Sequence, residues 1–254
     1  MSLLISLRSE VLKTKRTASF YLTIIAAAVV PVILLIDFTV DGIRPESTKV
    51  ILNKMFTQGF AMTGFAIFPI FVMLICTLLP QIEYKNNAWK QVLTSPQTRV
   101  NVFVSKFLNI HLLIVVLLIS TQLFMLLIAV IWHFVHPSWN VLGQSVDVYQ
   151  VLVTMLNTYV CVLAIGAIQF WMGLRFNNFI VPVAIGIAFW FVGSLMTLEY
   201  SSPYAKYFPY SFQVYPLFPK YKPQLNQVEW TSAGYAAVFL ILGFLDFRRS
   251  RTRA

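Results

Sequence analysis

The sequence predicts an all-α integral membrane protein with six transmembrane helices and both termini cytoplasmic. Three observations carry that reading. The first is composition: 58% of residues are hydrophobic and only 11% charged, where soluble domains carry about a quarter charged. The second is a set of apolar runs near Phe20–Ile36, Phe60–Leu79, Phe107–Val135, Val151–Trp171, Phe179–Leu198 and Thr231–Phe247. Each is close to the roughly 20 residues that cross a bilayer. The runs are continuously apolar, which excludes the period-two alternation of a β-barrel. The third is charge placement. With the N-terminus inside, the cytoplasmic segments hold Arg8, Lys13, Lys15, Arg16, Lys85, Lys90, Arg99, Lys106, Arg175, Arg248, Arg249, Arg251 and Arg253. The outer loops hold only Arg44, Lys49, Lys54, Lys206, Lys220 and Lys222. That asymmetry is the positive-inside pattern. It accounts for the net charge of +10 without a nucleic-acid partner, and the tail RRSRTRA suits anionic headgroups.

The chain reads as a single transmembrane domain, 1–254, with three special segments at 1–17, 81–95 and 199–230. In the first, Leu3, Leu4, Leu7, Val11 and Leu12 share a helical face and Arg8, Glu10, Lys13 and Lys15 lie off it. This is an amphipathic helix on the inner surface; a plain extension of the first span is the alternative. The first apolar run is too long for a signal peptide, and no small-x-small cleavage site follows Ile36. Pro31 is expected to kink that span. An outer loop, Asp37–Gln58, follows. The second span holds Pro69 and is expected to end at Pro80. The third, about Phe107–Phe134, is long enough to tilt or project. A turn near Arg175–Asn178 implies that spans four and five form a tight antiparallel pair. Residues 199–230 interleave five prolines with Tyr200, Tyr204, Tyr207, Phe208, Tyr210, Phe212, Tyr215, Phe218, Tyr221 and Trp230. Tyr and Trp favour the headgroup layer. The segment is therefore expected to be a structured outer element of short helices broken at prolines; an ordinary aromatic belt is the alternative.

Chemistry is sparse. No ionisable residue lies in the middle of any predicted span, which argues against ion coupling at the midplane. Gln122, Asn157 and Gln169 are candidate substrate-path residues; interhelical hydrogen bonding is their plainer role. His133 and His136 have i, i+3 spacing but no third ligand, so no metal site is assigned. Cys76 and Cys161 fall in apolar spans and read as small buried hydrophobes. No catalytic residues are assigned: HExxH, GxSxG and paired acids are absent. GxxxxGK[ST] is absent too, so the chain has no P-loop of its own.

The bridge from Gln81 to Lys106 is different. Ile82, Trp89, Val92 and Leu93 share a helical face ringed by Glu83, Lys85, Asn86, Asn87, Lys90 and Gln91. Ser95 and Pro96 then restart a helix as N-cap and first residue. A Trp anchor with a polar ring suits a protein contact, and equally a helix lying among headgroups. Here the chain resembles the permease subunit of a type-2 ATP-binding-cassette transporter. The resemblance rests on Glu83, Trp89, Pro96, Arg99 and Lys106 around the bridge, and on the opening SLRSEVLKTKRT with Glu10 and Lys13. Short permeases that export lantibiotic-like peptides, or confer immunity to them, are the most similar group. The resemblance implies that Glu83, Trp89, Lys90, Pro96 and Arg99 couple the chain to a separate ATP-binding subunit, which would carry the ATP and Mg. It also implies a second permease, identical or sister, a bacterial cytoplasmic membrane, and export of an amphiphile. A lipid-linked sugar or another small amphiphile fits an apolar groove as well. A membrane-embedded enzyme and a noncatalytic scaffold are the competing classes; a neighbouring reading frame with GxxxxGK[ST] would favour the permease.

Overall fold

The computed structural model describes residues 2–15, 17–40, 51–86, 88–94, 97–137 and 140–249. Among them there is no strand. The α-helices are α1 (Leu3–Thr14), α2 (Ala18–Val40), α3 (Ile51–Met62), α4 (Phe68–Lys85), α5 (Trp89–Thr94), α6 (Arg99–Val135), α7 (Val148–Arg175), α8 (Ile180–Leu198) and α9 (Leu225–Arg249). Six stretches of the described residues are long and apolar enough to cross a membrane. α3, a π-helical turn Thr63–Ile67 and α4 form the second of them.

α4 is the central helix. In its most apolar window 61% of residues are buried, against 22–39% in the other spans. Phe68, Phe71, Val72, Ile75 and Cys76 of α4 pack with Phe103, Ile110 and Ile114 of α6 and Ile165 and Phe170 of α7. α7 lies chiefly between α4 and α9, and α2 lies on α6. The expected tight pairing of spans four and five is corrected: the turn after Arg175 joins them, but α7 packs far more on α9 and α4 than on α8. α8 instead faces α4 and the segment that follows it. With lipid as apolar as leucine, close backbone approach through small residues is what holds such helices together.

Prolines shape α4. Pro69 has no N–H to give the carbonyl of Phe65, four residues back. The π-helical turn ends just before it, and the indole Nε1 of Trp190 donates to Phe65 O at 3.2 Å. Pro80 does not end the span, contrary to the sequence expectation; α4 runs through it to Lys85. Pro80 leaves the carbonyl of Cys76 without its helical donor. Gly173 of α7 packs against that carbonyl so closely that a Cβ there would lie 2.6 Å from Cys76 O. Inside a membrane, a neighbouring helix at the freed carbonyl is what makes such a proline tolerable.

Other boundaries move too. The outer loop is shorter than Asp37–Gln58, because α2 reaches Val40 and α3 begins at Ile51. The expected bridge helix 81–95 divides: residues 81–85 belong to α4, and α5 covers only Trp89–Thr94. Ser95 and Pro96, expected to restart the helix, lie outside the described residues, and α6 begins at Arg99. Its N-cap is Thr98, whose Oγ1 accepts from Asn101 N at 3.2 Å. α6 spans 37 residues, about 55 Å at 1.5 Å per residue, well beyond a hydrocarbon core of about 30 Å.

Residues 199–224 fold into 3-10 turns at Ala205–Tyr207, Pro209–Val214 and Pro219–Gln224. Proline opens the second and third, where its missing N–H costs nothing. Tyr210, Phe212 and Tyr215 are fully buried, whereas Tyr200, Tyr204 and Tyr207 are exposed. The segment is thus re-entrant: four of its nine rings, Tyr210, Phe212, Tyr215 and Tyr221, are buried where it packs on α7, α8 and α9. Gly193 of α8 admits it, since a Cβ there would meet Tyr210 O at 2.5 Å.

Gly173→Ala is expected to force α4 from α7 and cost about 1–3 kcal/mol, as overpacking does. Thermal unfolding in detergent measures this, with Gly234→Ala as control because its Cβ meets nothing within 4 Å. Equal melting of the two variants would show that the α4–α7 approach is not limiting.

Candidate functional site

At the end of the bundle that carries α5, two carboxylates and two ammonium groups meet. α1 supplies Glu10 and Lys13, α4 Glu83, and α6 Lys106. Lys106 Nζ donates to Glu10 Oε2 at 2.8 Å and to Glu83 Oε1 at 2.6 Å. Lys13 Nζ donates to Glu10 Oε1 at 2.8 Å and to Glu83 Oε1 at 3.2 Å. The Lys106 and Glu83 side chains are 1% and 2% exposed.

The local sequence explains the convergence. Ser6, Glu10 and Thr14 recur every four residues, so they share one face of α1, and all three are buried. Leu3, Leu4, Ile5 and Leu12 are exposed. The apolar face of α1 is therefore free to meet lipid, while its polar face turns onto α6. Asn109 of α6 completes that seam, its Nδ2 donating to Thr14 Oγ1 at 2.7 Å. Glu83 stands three residues beyond Pro80 in the last turn of α4, a placement that depends on the helix passing through the proline.

Burial of a lone charge is prohibitive, so buried charges are found paired. The four groups here sum to zero. Desolvation alone would raise the Glu10 carboxyl, but the charges of Lys106 and Lys13 outweigh it and hold the group below its ordinary 4.5. Desolvation alone would lower Lys13, but Glu10 and Glu83 outweigh it and hold the ammonium above its ordinary 10.5. Glu83 Oε2 has no hydrogen-bond partner among the described residues, so the cluster is tight on one side of that carboxylate only.

The residues expected to couple to a partner sit around this cluster. Trp89, read from sequence as an outward anchor, points inward. It is 9% exposed and packs edge-on to Tyr84 at 5.4 Å and against Phe247 of α9 at 5.8 Å. Lys106 Nζ lies 5.6 Å from its ring centroid, within cation–π range. Arg99 is exposed and donates to the carbonyl of Arg248 at 2.6 Å, tying α6 to the end of α9. Lys90 belongs to α5, but its side chain, like Pro96, lies outside the described residues. Tyr84 Oη and Gln81 Nε2 clasp the end of α7 through Leu174 O and Phe176 O, at 2.6 and 2.8 Å.

The candidate path residues do not converge. Gln122 is half-buried on α6. Asn157 of α7 donates its amide to Val153 O and Glu229 Oε1, each at 3.2 Å, in the orientation that satisfies both of its polar atoms. Gln169, fully buried, donates to Tyr210 Oη at 3.0 Å. Asn157 and Gln169 are a dozen residues apart on one helix, about 18 Å. Two of the three thus make the interhelical bonds of the plainer reading. Sequence reasoning used Glu10, Lys13 and Lys106 for the resemblance but left them out of the site; the four-residue polar repeat of α1 is a signal for Glu10 alone.

The chain is a multi-pass membrane protein of transport-permease architecture, all-helical with a polar cluster at one end. The family model described as ABC-2 family transporter protein matches residues 6–193, and the chain belongs to that family. The match runs from within α1 through α7 and into α8, and takes in all four charged residues of the cluster. No curated protein sequence matches the chain significantly.

Breaking one partner of a buried ion pair costs about 3–5 kcal/mol. Lys106→Met and Glu83→Gln are each expected to destabilise by that order, and the double variant by clearly less than their sum. Strict additivity in thermal or denaturant unfolding would refute the pairing. For Glu10, lowered in the fold, the stabilisation is full above about pH 4.5 and fades as pH falls through the folded value. For Lys13, raised in the fold, it is full below about pH 10.5 and fades as pH rises further. The stability gap between the native chain and Glu10→Gln should therefore be flat between those limits and close in acid.

Proposed function

We propose that this chain is the membrane subunit of an ATP-driven exporter that moves an amphiphile, with antimicrobial peptides as the leading class. Energy enters from a separate ATP-binding subunit that docks on α5 in the cytoplasm. Family membership makes the chain a transport permease. The observation that carries the finer reading is the attachment of α5. It is a six-residue helix at the end of the bundle, fixed by Trp89 to the Glu10–Lys13–Glu83–Lys106 cluster rather than free as a loop. A push on α5 is then a push on α1, α4 and α6 together. Trp89 acts from within as a positioning residue, while Lys90, Pro96 and Arg99 remain candidates for direct contact with the partner. Two permeases would pair, and both termini would be cytoplasmic in a bacterial inner membrane, as the positive-inside pattern favours.

The test is co-purification with the ATPase encoded beside the gene, followed by a screen of peptides, lipid-linked sugars and small amphiphiles for stimulation of ATP hydrolysis. Trp89→Ala should insert and assemble yet lose most stimulation, with Trp89→Phe restoring it. Full coupling in Trp89→Ala would sink the role given to α5.

Topology has its own check. Tyr149, at the start of α7, is 78% exposed, and the native Cys76 and Cys161 are buried. Tyr149→Cys should react with an impermeant thiol reagent from outside only; labelling from the cytoplasm would invert the orientation.

A further inference from the structure

At the far end of the bundle from α5, a crevice of about 180 Å³ opens between α3, α7 and the re-entrant segment. Phe56, Phe60, Ala61, Val151, Pro216 and Leu217 give it apolar walls, and Thr57, Gln150, Thr154 and Lys222 also line it. Both threonine hydroxyl protons are already taken. Thr57 Oγ1 donates to carbonyls of its own helix, and Thr154 Oγ1 to Gln150 O. Lys222 is different: it is exposed and its ammonium makes no ion pair or hydrogen bond among the described residues. No carboxylate lines the crevice; the nearby Asp147 caps α7 by accepting from Gln150 N at 2.9 Å. An apolar slot with one unneutralised cation is complementary to an anion that carries an alkyl chain.

Depth and size narrow the occupant. Gln150–Thr154 lie 21 to 25 residues along α7 from Arg175, about 32–38 Å at 1.5 Å per residue. The hydrocarbon core is about 30 Å thick. With Arg175 at one interface, the crevice sits at the headgroup layer of the opposite leaflet. Its volume falls below the roughly 300–1,000 Å³ of pockets that enclose a small molecule. It therefore covers one chain and leaves the rest of the occupant in the bilayer. We propose that the crevice is a specific site for an anionic glycerophospholipid of that leaflet, with its phosphate on Lys222 and one acyl chain beside Phe56, Phe60 and Leu217. The lipid is resident rather than cargo, so the proposal stands apart from the identity of the exported molecule.

The full-length permease, in phosphatidylcholine vesicles doped with a phosphatidylglycerol carrying a chain-borne photoreactive group, provides the test. Adducts are expected on peptides containing 56–61, 150–154 and 216–222. A Lys near a membrane surface contributes about 1 kcal/mol toward anionic lipid, a factor of about five, so Lys222→Glu, which reverses the charge, should cut labelling at least about fivefold. Lys206→Glu, an equal charge change on the same segment, should leave it unchanged. Lys222→Gln replaces Lys222→Glu if the latter does not purify intact, and Ala61→Trp, which fills the slot, should abolish labelling. Equal labelling by a phosphatidylcholine probe, or an equal loss in Lys206→Glu, would overturn the site. Competition by inorganic phosphate would show that no chain is needed and would overturn the lipid. With the ATPase partner present, displacement by ATP would mark the occupant as cargo and overturn its resident role; unchanged labelling under ATP is the expected result.

Discussion

Glu10, Lys13, Glu83 and Lys106 hold three helices at one point, with Lys106 and Glu83 shielded from solvent and Lys13 partly open to it. Each pair spans different elements except Glu10–Lys13, so no member can leave without stranding a charge on another helix. Desolvation penalties make such a cluster a poor source of net stability compared with packed hydrocarbon. What it provides is position. α1 has no long apolar stripe to fix its rotation against the bundle; its buried face is Ser6, Glu10 and Thr14. The ion pairs set that rotation, and once it is set, Trp89 has a defined cation beneath it and α5 a defined seat.

The same constraint runs up through α4. Glu83 reaches the cluster because α4 passes through Pro80 instead of stopping there. That passage leaves Cys76 O without its helical donor, and the close approach of Gly173 occupies the gap. Two residues after the π-helical turn, Pro69 leaves Phe65 O without its helical donor, and Trp190 of α8 takes it. Each proline thus exchanges an internal bond for a contact with a different neighbour. α4 is central not only because it is apolar but because its Cys76 carbonyl faces α7, while that of Phe65, in the π-helical turn before it, is taken by α8. Disturbance at the α5 end is delivered to a helix already tied to the rest of the bundle.

Much of this was legible. The spans declare themselves by length and apolarity, since lipid leaves the backbone no alternative to internal hydrogen bonding. Glu83, Trp89 and Arg99 follow from the family resemblance, and they lie at the end of the bundle that carries α5. The errors are instructive because each concerns a long-range partner. Pro80 ends a helix by local rules, whereas here Gly173, far away in sequence, packs closely on the carbonyl that the proline frees. An amphipathic Trp with polar neighbours fits an outward anchor or an inward cap equally well; the cation that decides, Lys106, is on another helix. Lys106 and Glu10 are 96 residues apart, and nothing in either segment names the other. In 199–230 the aromatic density marked a structured element, yet the inward turn of Tyr210, Phe212 and Tyr215 depends on the missing side chain of Gly193.

The two ends of the molecule are consequently built on opposite principles. At the α5 end, charge is compensated internally and packed beneath an indole, so geometry is defined and motion must be shared among helices. At the other end, the segment after α8 packs through rings and small residues and is tied by a few neutral hydrogen bonds, such as Gln169 to Tyr210 Oη and Tyr221 Oη to Thr197 O, while Lys222 keeps an uncompensated charge toward its surroundings. Apolar contacts have no directional register to break, whereas a buried ion pair displaced by an ångström or two loses hydrogen-bond geometry on charged groups. A displacement imposed at α5 therefore costs least if the cluster moves as a unit and the yielding occurs among the rings of the re-entrant segment. The stiff end is suited to receiving force and the soft end to giving way, and the sequence difference between them lies in four charges and a stretch of alternating proline and aromatic residues.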